Sequence, residues 1–167
     1  MLITGLPGVG KTTVIRKVAA ALADSHPVGF FTTEIRDKGI RKGFELVSFD
    51  GRRSILSHVD IQSQQRVGKY GVDITSFEAF LDEADLFNPE HRLIIIDEIG
   101  KMECLSAKFR AIIETLFASD KPVIATVALK GGGLIESVKH RPDVRFFEVT
   151  VRNRDRITGE ILTSLTE

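Results

Sequence analysis

The feature that most constrains this chain is a glycine-rich stretch near its start, Gly5-Leu6-Pro7-Gly8-Val9-Gly10-Lys11-Thr12. It matches the pattern G-x-x-x-x-G-K-[S/T], for which the required context is a strand before the loop and a helix after it. Residues Met1 to Thr4 predict a short buried strand, and apolar residues from Val14 to Leu22 recur at helical spacing. Backbone N–H groups in such a loop surround a polyanion, so we predict that it binds phosphate groups.

Each residue type in this loop has a physical reason. The three glycines permit positive φ angles and leave room where a Cβ would clash with the ligand. Lys11 places a cation on the outer phosphates, and the Thr12 hydroxyl is a ligand for the magnesium ion that bridges two phosphates. Thr13 is in position for the α-phosphate. We therefore predict that all eight residues of the motif and Thr13 bind nucleotide.

An acidic pair follows a second apolar strand, Leu93 to Ile96. Phosphate-binding loops of this kind work with an acidic residue at the end of such a strand, and Asp97 is predicted to hold magnesium through water. Glu98 comes directly after it and is predicted to orient and polarise the water that attacks the γ-phosphate. With Lys11, these two carboxylates are the predicted catalytic groups.

Strand and helix patterns alternate along the chain and predict a three-layer α/β sandwich with a mainly parallel central sheet. An antiparallel hairpin insertion is predicted around residues 36–58, because Asp50-Gly51 separates two strand-like segments. Thr75 and Glu78 have capping-box spacing, which predicts the start of a helix. No linker or repeat is evident, so residues 1–167 are predicted to form one domain.

Composition excludes several classes of function. The 23 basic and 23 acidic residues balance, which argues against a nucleic-acid partner. No apolar run approaches the roughly 20 residues that cross a bilayer, and Met1 is followed at once by the strand and loop, so we expect neither a signal peptide nor membrane association. Cys104 is the only cysteine, which suits a reducing cytoplasm. The four histidines lack metal-ligand spacing.

Five segments of the chain resemble a known family, the THEP1-type P-loop nucleoside-triphosphatases of thermophilic prokaryotes and animals. The resemblance covers nearly the whole chain, and Ile94–Glu103 is its most diagnostic part. This chain has Cys104 where members often have leucine, and it is less regular after Thr126. The matching segments are Gly5–Thr13, Gly29–Arg36, Arg41–Phe44, Arg66–Asp73 and Ile94–Glu103.

The resemblance implies a P-loop fold that slowly hydrolyses the γ-phosphate of ATP, GTP and other nucleoside triphosphates with broad base tolerance. We expect ATP, GTP, CTP, UTP and TTP as substrates, Mg²⁺ as cofactor and a monomeric protein. The glycine loop and Asp97 correspond to the Walker A and Walker B motifs. Ile99, Gly100 and Lys101 are implied to adjoin the nucleotide, with Lys101 as a second phosphate cation. A polar pair near the carboxyl terminus, Asn153 and Arg154, is implied to approach the base.

Several further residues are weaker candidates. One of Arg36, Arg41, Arg66 and Lys69 would stabilise transition-state charge as an internal arginine finger, and Arg66 is the first choice. Thr126, at the end of a predicted central strand, is a candidate sensor of the γ-phosphate. Tyr70 is a candidate for stacking on the base, although a ring at the edge of the core explains it better.

Two other functions remain open on the sequence. A kinase for a small acceptor would share the loop and the second strand, although no lid with clustered arginines is evident. A nucleotide-dependent regulatory switch would use hydrolysis only to reset a binding state. A switch selective for GTP is disfavoured because no Asn-Lys-x-Asp string occurs. The Asp97-Glu98 pair favours water as the acceptor.

Overall fold

The computed structural model describes residues 1–165, and their strands form one nine-stranded sheet. In chain order the strands are β1 Leu2–Gly5, β2 Val28–Asp37, β3 Ile40–Ser48, β4 Arg53–His58, β5 Arg66–Val67, β6 Tyr70–Val72, β7 Ile94–Ile99, β8 Val123–Val127 and β9 Phe146–Val149. Their order across the sheet is β5-β6-β4-β3-β2-β7-β8-β1-β9. The α-helices are α1 Lys11–Ala21, α2 Ile74–Ala84, α3 Ala107–Phe117, α4 Leu134–Lys139 and α5 Ile157–Leu165.

Strands β2, β7, β8, β1 and β9 are parallel, and helices cover both of their faces. Helices α1 and α5 pack on one face through residues such as Ile15 and Ile161, whereas α2, α3 and α4 pack on the other face through residues such as Phe77 and Phe109. Both faces of β7 are therefore buried, which explains its uninterrupted apolar sequence. The structure confirms the predicted three-layer α/β fold.

The antiparallel part of the sheet is larger than the hairpin predicted around residues 36–58. Strands β2 and β3 pair as a hairpin, β4 pairs with β3, and the short strands β6 and β5 extend the sheet beyond it. The Asp50-Gly51 turn lies where the sequence predicted it, with a φ of 88° at Gly51. Strands β5 and β6 have only two and three residues, too few to show an alternating pattern.

Helix α2 begins earlier than the capping-box spacing predicted. Asp73 is its N-cap, and its carboxylate accepts a hydrogen bond of 2.9 Å from the backbone N–H of Ser76. Glu78 instead accepts a hydrogen bond of 2.7 Å from the hydroxyl of Ser106, the N-cap residue of α3. Glu78 therefore ties two helices together rather than closing its own helix.

The fold brings the predicted site residues to one edge of the sheet. The loops after β1, β7, β8 and β9 all leave the carboxyl ends of neighbouring parallel strands, where binding sites of open α/β sheets lie. Within residues 1–165, no helix has the length and apolar character needed to cross a membrane.

Candidate active site

The glycine loop connects β1 to α1 in an open conformation. Gly8 and Gly10 have φ angles of 74° and 114°, which side chains rarely tolerate. At Gly5 the reason is contact, because a Cβ there would lie 2.4 Å from the backbone oxygen of Val149 on β9. Gly10 is the N-cap of α1, and within residues 1–165 no side chain caps this helix. The first N–H groups of α1 therefore have no side-chain partner there, and free N–H groups at a helix N-terminus are suited to bind an anion.

Lys11 lies over this loop and is almost buried. Its ammonium group donates hydrogen bonds of 3.1 Å to the Gly5 oxygen and 3.3 Å to the Leu6 oxygen. The same Nζ lies 4.0 Å from Oε2 of Glu98, at the limit of an ion pair. These contacts hold the positive charge at the point where the sequence predicts phosphate oxygens.

Asp97 is the best-connected polar side chain of the site. Its two carboxylate oxygens accept hydrogen bonds from different strands and helices: one of 2.7 Å from the hydroxyl of Thr12 and one of 2.5 Å from the hydroxyl of Thr126. The hydroxyl of Thr32 donates a bond of 2.5 Å to the Asp97 backbone oxygen. Burial raises the pKa of Asp97, whereas the two threonine hydroxyls and the charge of Lys11 act in the opposite direction.

Glu98 is oriented differently from its neighbour. Its side chain is one-third exposed, against 2% for the whole of Asp97, and its carboxylate lies beside Lys11. Burial is the main cause that raises the pKa of Glu98; Lys11 lowers it and Asp97 raises it. A carboxylate that is partly open to solvent next to a phosphate-binding cation is in position to bind a water molecule.

A second buried carboxyl group, for which no sequence pattern indicated a role, lies next to Glu98. Glu103 is 3% exposed, and a Cβ built on Gly100 would lie 2.7 Å from both Oε2 of Glu103 and Oε1 of Glu98. Burial, followed by the charge of Glu98, raises the pKa of Glu103 to about 8. In the sequence, Glu103 stood out only as the last residue of the Ile94–Glu103 segment that resembles the family, and this position did not indicate a role.

The three residues after Glu98 differ in what they can contact. Ile99 is fully buried and belongs to the core between the sheet and α2, α3 and α4, so its side chain does not face the loop. Gly100 leaves space for the two glutamate carboxyl groups described above. Lys101 is exposed in the turn that follows. Of the three, Gly100 has the clearest structural reason for its residue type.

The loop after β9 lies next to the glycine loop, because Gly5 and Val149 are partners in the pairing of β1 with β9. Asn153 does not direct its amide outward. Its Oδ1 accepts a hydrogen bond of 2.7 Å from the Thr150 N–H, and its Nδ2 donates one of 2.8 Å to the Glu148 oxygen. Asn153 therefore shapes this loop, and Arg154 is exposed on it.

Arg66, the predicted arginine finger, lies on β5, at the far edge of the sheet from the glycine loop. Strand β1 is the eighth strand from that edge, a separation on the order of 30 Å at the usual spacing between strands. The Arg66 guanidinium donates to the backbone oxygens of Lys69 and Ile61, at 2.7 Å and 3.4 Å. It closes its own hairpin, and this arrangement does not support a role as the finger.

The other arginine candidates and Tyr70 also lie in the antiparallel part. Arg36 and Arg41 both form ion pairs with Glu34, at 2.5 Å and 2.8 Å. Tyr70 is buried at the edge of the core, where its hydroxyl accepts a hydrogen bond of 3.0 Å from Arg41 and its ring packs edge-on against Phe44. These contacts are structural, and Tyr70 does not offer a free ring to a base.

Only a few protein oxygens converge at this edge of the sheet. Across residues 1–165, no group of three or more His, Cys, Asp or Glu side chains is arranged to hold a metal ion. The Thr12 hydroxyl and the Asp97 carboxylate are hard oxygen ligands 2.7 Å apart. Magnesium in proteins is held by one or two such side chains and completed by water and phosphate oxygens, so this pair fits that ion.

Known proteins match the chain over nearly its full length. A nucleoside-triphosphatase THEP1 from Thermotoga sp. (strain RQ2) is 44% identical over 99% of this chain and 94% of its own length. A human cancer-related nucleoside-triphosphatase is 40% identical over 98% of this chain and 94% of its own length. The crystal structure of THEP1 from Aquifex aeolicus superimposes with a TM-score of 0.89 at 35% identity, covering 100% of this chain and 99% of that chain. The family model described as NTPase matches residues 1–162, and the chain belongs to this family.

Proposed function

We propose that this protein is an enzyme that hydrolyses nucleoside triphosphates to nucleoside diphosphate and phosphate. One observation carries the proposal: the strand end of β7 presents Asp97 to the Thr12 hydroxyl, at 2.7 Å, and the adjacent Glu98 to the Lys11 ammonium, at 4.0 Å. The phosphate loop thus has a metal-binding carboxylate and a water-binding carboxylate on the same side. The named activities of the relatives from Thermotoga and human support the same reaction.

Binding rests on the glycine loop and the first turn of α1. The free N–H groups of this turn and the positive end of the helix dipole stabilise the triphosphate, and Lys11 adds a full charge. When nucleotide binds, the Lys11 ammonium gives up its hydrogen bonds to the Gly5 and Leu6 oxygens and bonds to phosphate oxygens instead. The lysine side chain stays in the same place over the loop. The backbone of Leu6, Pro7 and Val9 forms the wall of the loop around the phosphates. Thr13, on the first turn of α1, would contact the α-phosphate.

Thr12 and Asp97 would hold magnesium, with Asp97 acting through water. When bound there, the ion supplies charge neutralisation on the β- and γ-phosphate oxygens. The hydrogen bonds from Thr12 and Thr126 fix the Asp97 carboxylate before ligand arrives. This preorganisation avoids a cost in side-chain entropy at the moment of binding.

Glu98 accepts a hydrogen bond from a water molecule and orients its oxygen toward the γ-phosphorus. As the oxygen of water bonds to phosphorus, the bond to the β,γ-bridging oxygen breaks, and the diphosphate leaves with the bonding electrons. Lys11 stabilises the charge that develops on the transferred group. The proton of the attacking water passes to Glu98 or to phosphate, which gives inorganic phosphate.

The test is a product analysis of the purified protein with Mg²⁺ and each triphosphate, with and without small acceptors. Hydrolysis predicts diphosphate and inorganic phosphate without any acceptor, whereas label found only on an acceptor would establish the kinase alternative. Glu98→Gln keeps the shape of the side chain and is expected to slow phosphate release by about 100-fold or more while binding persists. Glu114→Gln, on the exposed face of α3, is the matched control and should hydrolyse at the normal rate.

We further propose that ATP, GTP, CTP, UTP and TTP are all substrates and that one chain, folded as a single domain, acts as a monomer in the cytoplasm. The balance of 23 basic and 23 acidic residues supports the absence of a nucleic-acid partner.

Cys104 is a free, half-buried thiol, and burial raises its pKa to about 12, as suits a structural residue in a reducing compartment. The molar mass measured by light scattering, with and without nucleotide, tests whether the protein is a monomer; the mass of one chain is expected in both conditions.

A further inference from the structure

The loop after β8 leaves the sheet between the two parts of the candidate site. Strand β8 lies between β7, which carries Glu98, and β1, which leads into the glycine loop. Thr126 on β8 is level with Ile3 on β1. Val127, the next residue, is level with Ile99 on β7. Because neighbouring strands lie about 4.8 Å apart, the loop after β8 starts beside both the carboxyl end of β7 and the glycine loop.

This loop carries a lysine whose charge is free to bind an anion. Lys130 is the third residue after the end of β8, and its side chain is exposed. Among residues 1–165, its ammonium group has no ion-pair or hydrogen-bond partner. The arginines predicted as fingers differ, because Arg36 and Arg41 form ion pairs and Arg66 bonds to backbone oxygens of its own hairpin. Lys130 therefore gives up only water when it binds a phosphate oxygen.

Helix α4 holds the backbone on both sides of Lys130. The ammonium group of Lys139 donates a hydrogen bond of 2.8 Å to the backbone oxygen of Leu129. Gly131 packs closely on the same helix, because a Cβ there would lie 2.4 Å from Cδ1 of the buried Ile135. The loop is thus fixed at its two neighbouring residues, while the side chain between them is free. A cation held in this way needs little reorganisation when it meets charge.

We propose that Lys130 is a further catalytic residue of the hydrolysis, whose ammonium group binds the γ-phosphate and stabilises its negative charge in the transition state. Since Glu98 binds the attacking water, the γ-phosphate lies between Glu98 and the glycine loop, and the loop of Lys130 starts beside both. Lys130 supplies the positive charge that the sequence predicted from Arg66, and such a cation has a large effect on phosphoryl transfer. It forms no covalent bond and moves no proton. This assignment rests on the proposed function, since it takes a triphosphate to occupy the glycine loop.

Lys130→Met removes the charge and keeps an unbranched side chain. The kcat of hydrolysis is expected to fall by about 100-fold, the usual effect of losing one preorganised group that stabilises a transition state. The dissociation constant of ADP, measured by calorimetry with Mg²⁺, should not change, because ADP has no γ-phosphate. The melting temperature should not change either, since the lysine has no partner among residues 1–165. Lys130→Arg, which keeps the charge, should restore most of the lost rate.

A second measurement reads the same contact without turnover. Aluminium fluoride bound beside ADP and Mg²⁺ mimics the phosphoryl group in transfer, and analogues of a transition state bind more tightly than ground-state ligands. Aluminium fluoride should therefore tighten ADP binding in the unmodified protein. Lys130→Met should lose about tenfold or more of that gain. Lys17→Met, which removes an exposed lysine of α1, is the matched control and should keep the whole gain and the normal kcat.

Three results would each overturn the role of Lys130. They are an unchanged kcat in Lys130→Met, an unchanged gain from aluminium fluoride in that variant, and a loss of affinity for ADP alone as large as the loss with aluminium fluoride. Failure of the proposed hydrolysis is a separate result. It would be seen as absent phosphate release by the unmodified protein with every triphosphate, whereas the fluoride-dependent binding would still report on Lys130.

Discussion

The hydroxyl of Thr126 on β8 donates a hydrogen bond of 2.5 Å to Oδ1 of Asp97 on β7, and both residues are almost completely buried. The other oxygen of Asp97 accepts from Thr12, at the start of α1. The Asp97 carboxylate is therefore fixed from two sides without a cation. Thr126 therefore contacts the carboxylate that we propose for magnesium, which favours a role as a positioning residue over the predicted contact with the γ-phosphate.

Thr126→Val should destabilise the protein, because it leaves a buried carboxylate oxygen without its donor. The expected loss is about 1–3 kcal/mol in the free energy of unfolding, measured by urea denaturation. Affinity for magnesium-nucleotide should fall as well, since Asp97 loses one of its two fixed contacts. Thr33→Val is the control: the buried hydroxyl of Thr33 has no hydrogen-bond partner among residues 1–165, so its removal should be neutral or stabilising.

Lys11→Met should abolish tight binding of triphosphate while the fold is kept. The methionine chain fills the same space, but the charge over the loop is lost, and hydrogen bonds to charged groups are worth about 1.5–3 kcal/mol each. Nucleotide dissociation constants measured by calorimetry should therefore rise by at least about tenfold. Lys17→Met, an exposed lysine on the same helix, should leave the constant unchanged; equal losses in both variants would contradict a specific contact by Lys11.

Gly100→Ala should lower turnover more than stability. The added Cβ would lie 2.7 Å from the carboxylate oxygens of both Glu98 and Glu103, and at least one side chain must move. A displacement of about 1 Å at a reacting group costs up to about 100-fold in rate. The steady-state kcat should fall by about tenfold or more, with a small change in melting temperature.

Gly132→Ala is the matched control for this substitution, since a Cβ at Gly132 meets nothing within 4 Å. It should hydrolyse nucleotide normally. A Gly100→Ala enzyme with unchanged kcat would show that the position of Glu98 does not limit the reaction.

The buried carboxyl group of Glu103 predicts how stability depends on pH. Its pKa is raised from 4.5 to about 8 on folding, so the folded protein retains this proton over a range where the unfolded chain has lost it. Stability from this group is therefore fully present below pH 4.5 and declines as the pH rises to about 8, above which it changes no further.

Glu103→Gln, which cannot ionise, removes this contribution. Urea denaturation of both proteins at pH 4.5 and pH 8 should show that the unmodified protein loses more stability than the variant, by a few kcal/mol. Asp97 and Glu98 are present in both proteins, so their own contributions largely cancel. Parallel losses in the two proteins would show that Glu103 is ionised throughout this range.

The strands and helices with strong local sequence patterns were predictable from the sequence. The parallel half of the fold follows from the apolar runs that became β7 and β8 and from the helical spacing of α1 and α3. Local patterns were less informative in the antiparallel half, where β5 and β6 are too short for periodicity and join the sheet through the pairing of β6 with β4. Thr75 shows the same limit, because Asp73 offers an equally good cap two residues earlier and forms it.

The chemistry of the site was determined largely by the sequence itself. A glycine loop between a strand and a helix has free N–H groups suited to an anion, and in a parallel sheet an Asp-Glu pair after another buried strand lies at the same edge. These are consequences of local backbone geometry and of parallel pairing. The sequence alone is therefore sufficient to predict that Gly5 to Thr12, Asp97 and Glu98 share one site.

Only the tertiary structure decided which distant side chains join that site. It placed Arg66 at the far edge of the sheet, directed the Asn153 amide to its own loop, and brought Thr126 on β8 to Asp97 on β7. Side-chain contacts between distant segments depend on strand order and register, which no local pattern specifies. The physical reason is that a hydrogen bond acts over about 3 Å, whereas the sequence specifies only the neighbours along the chain.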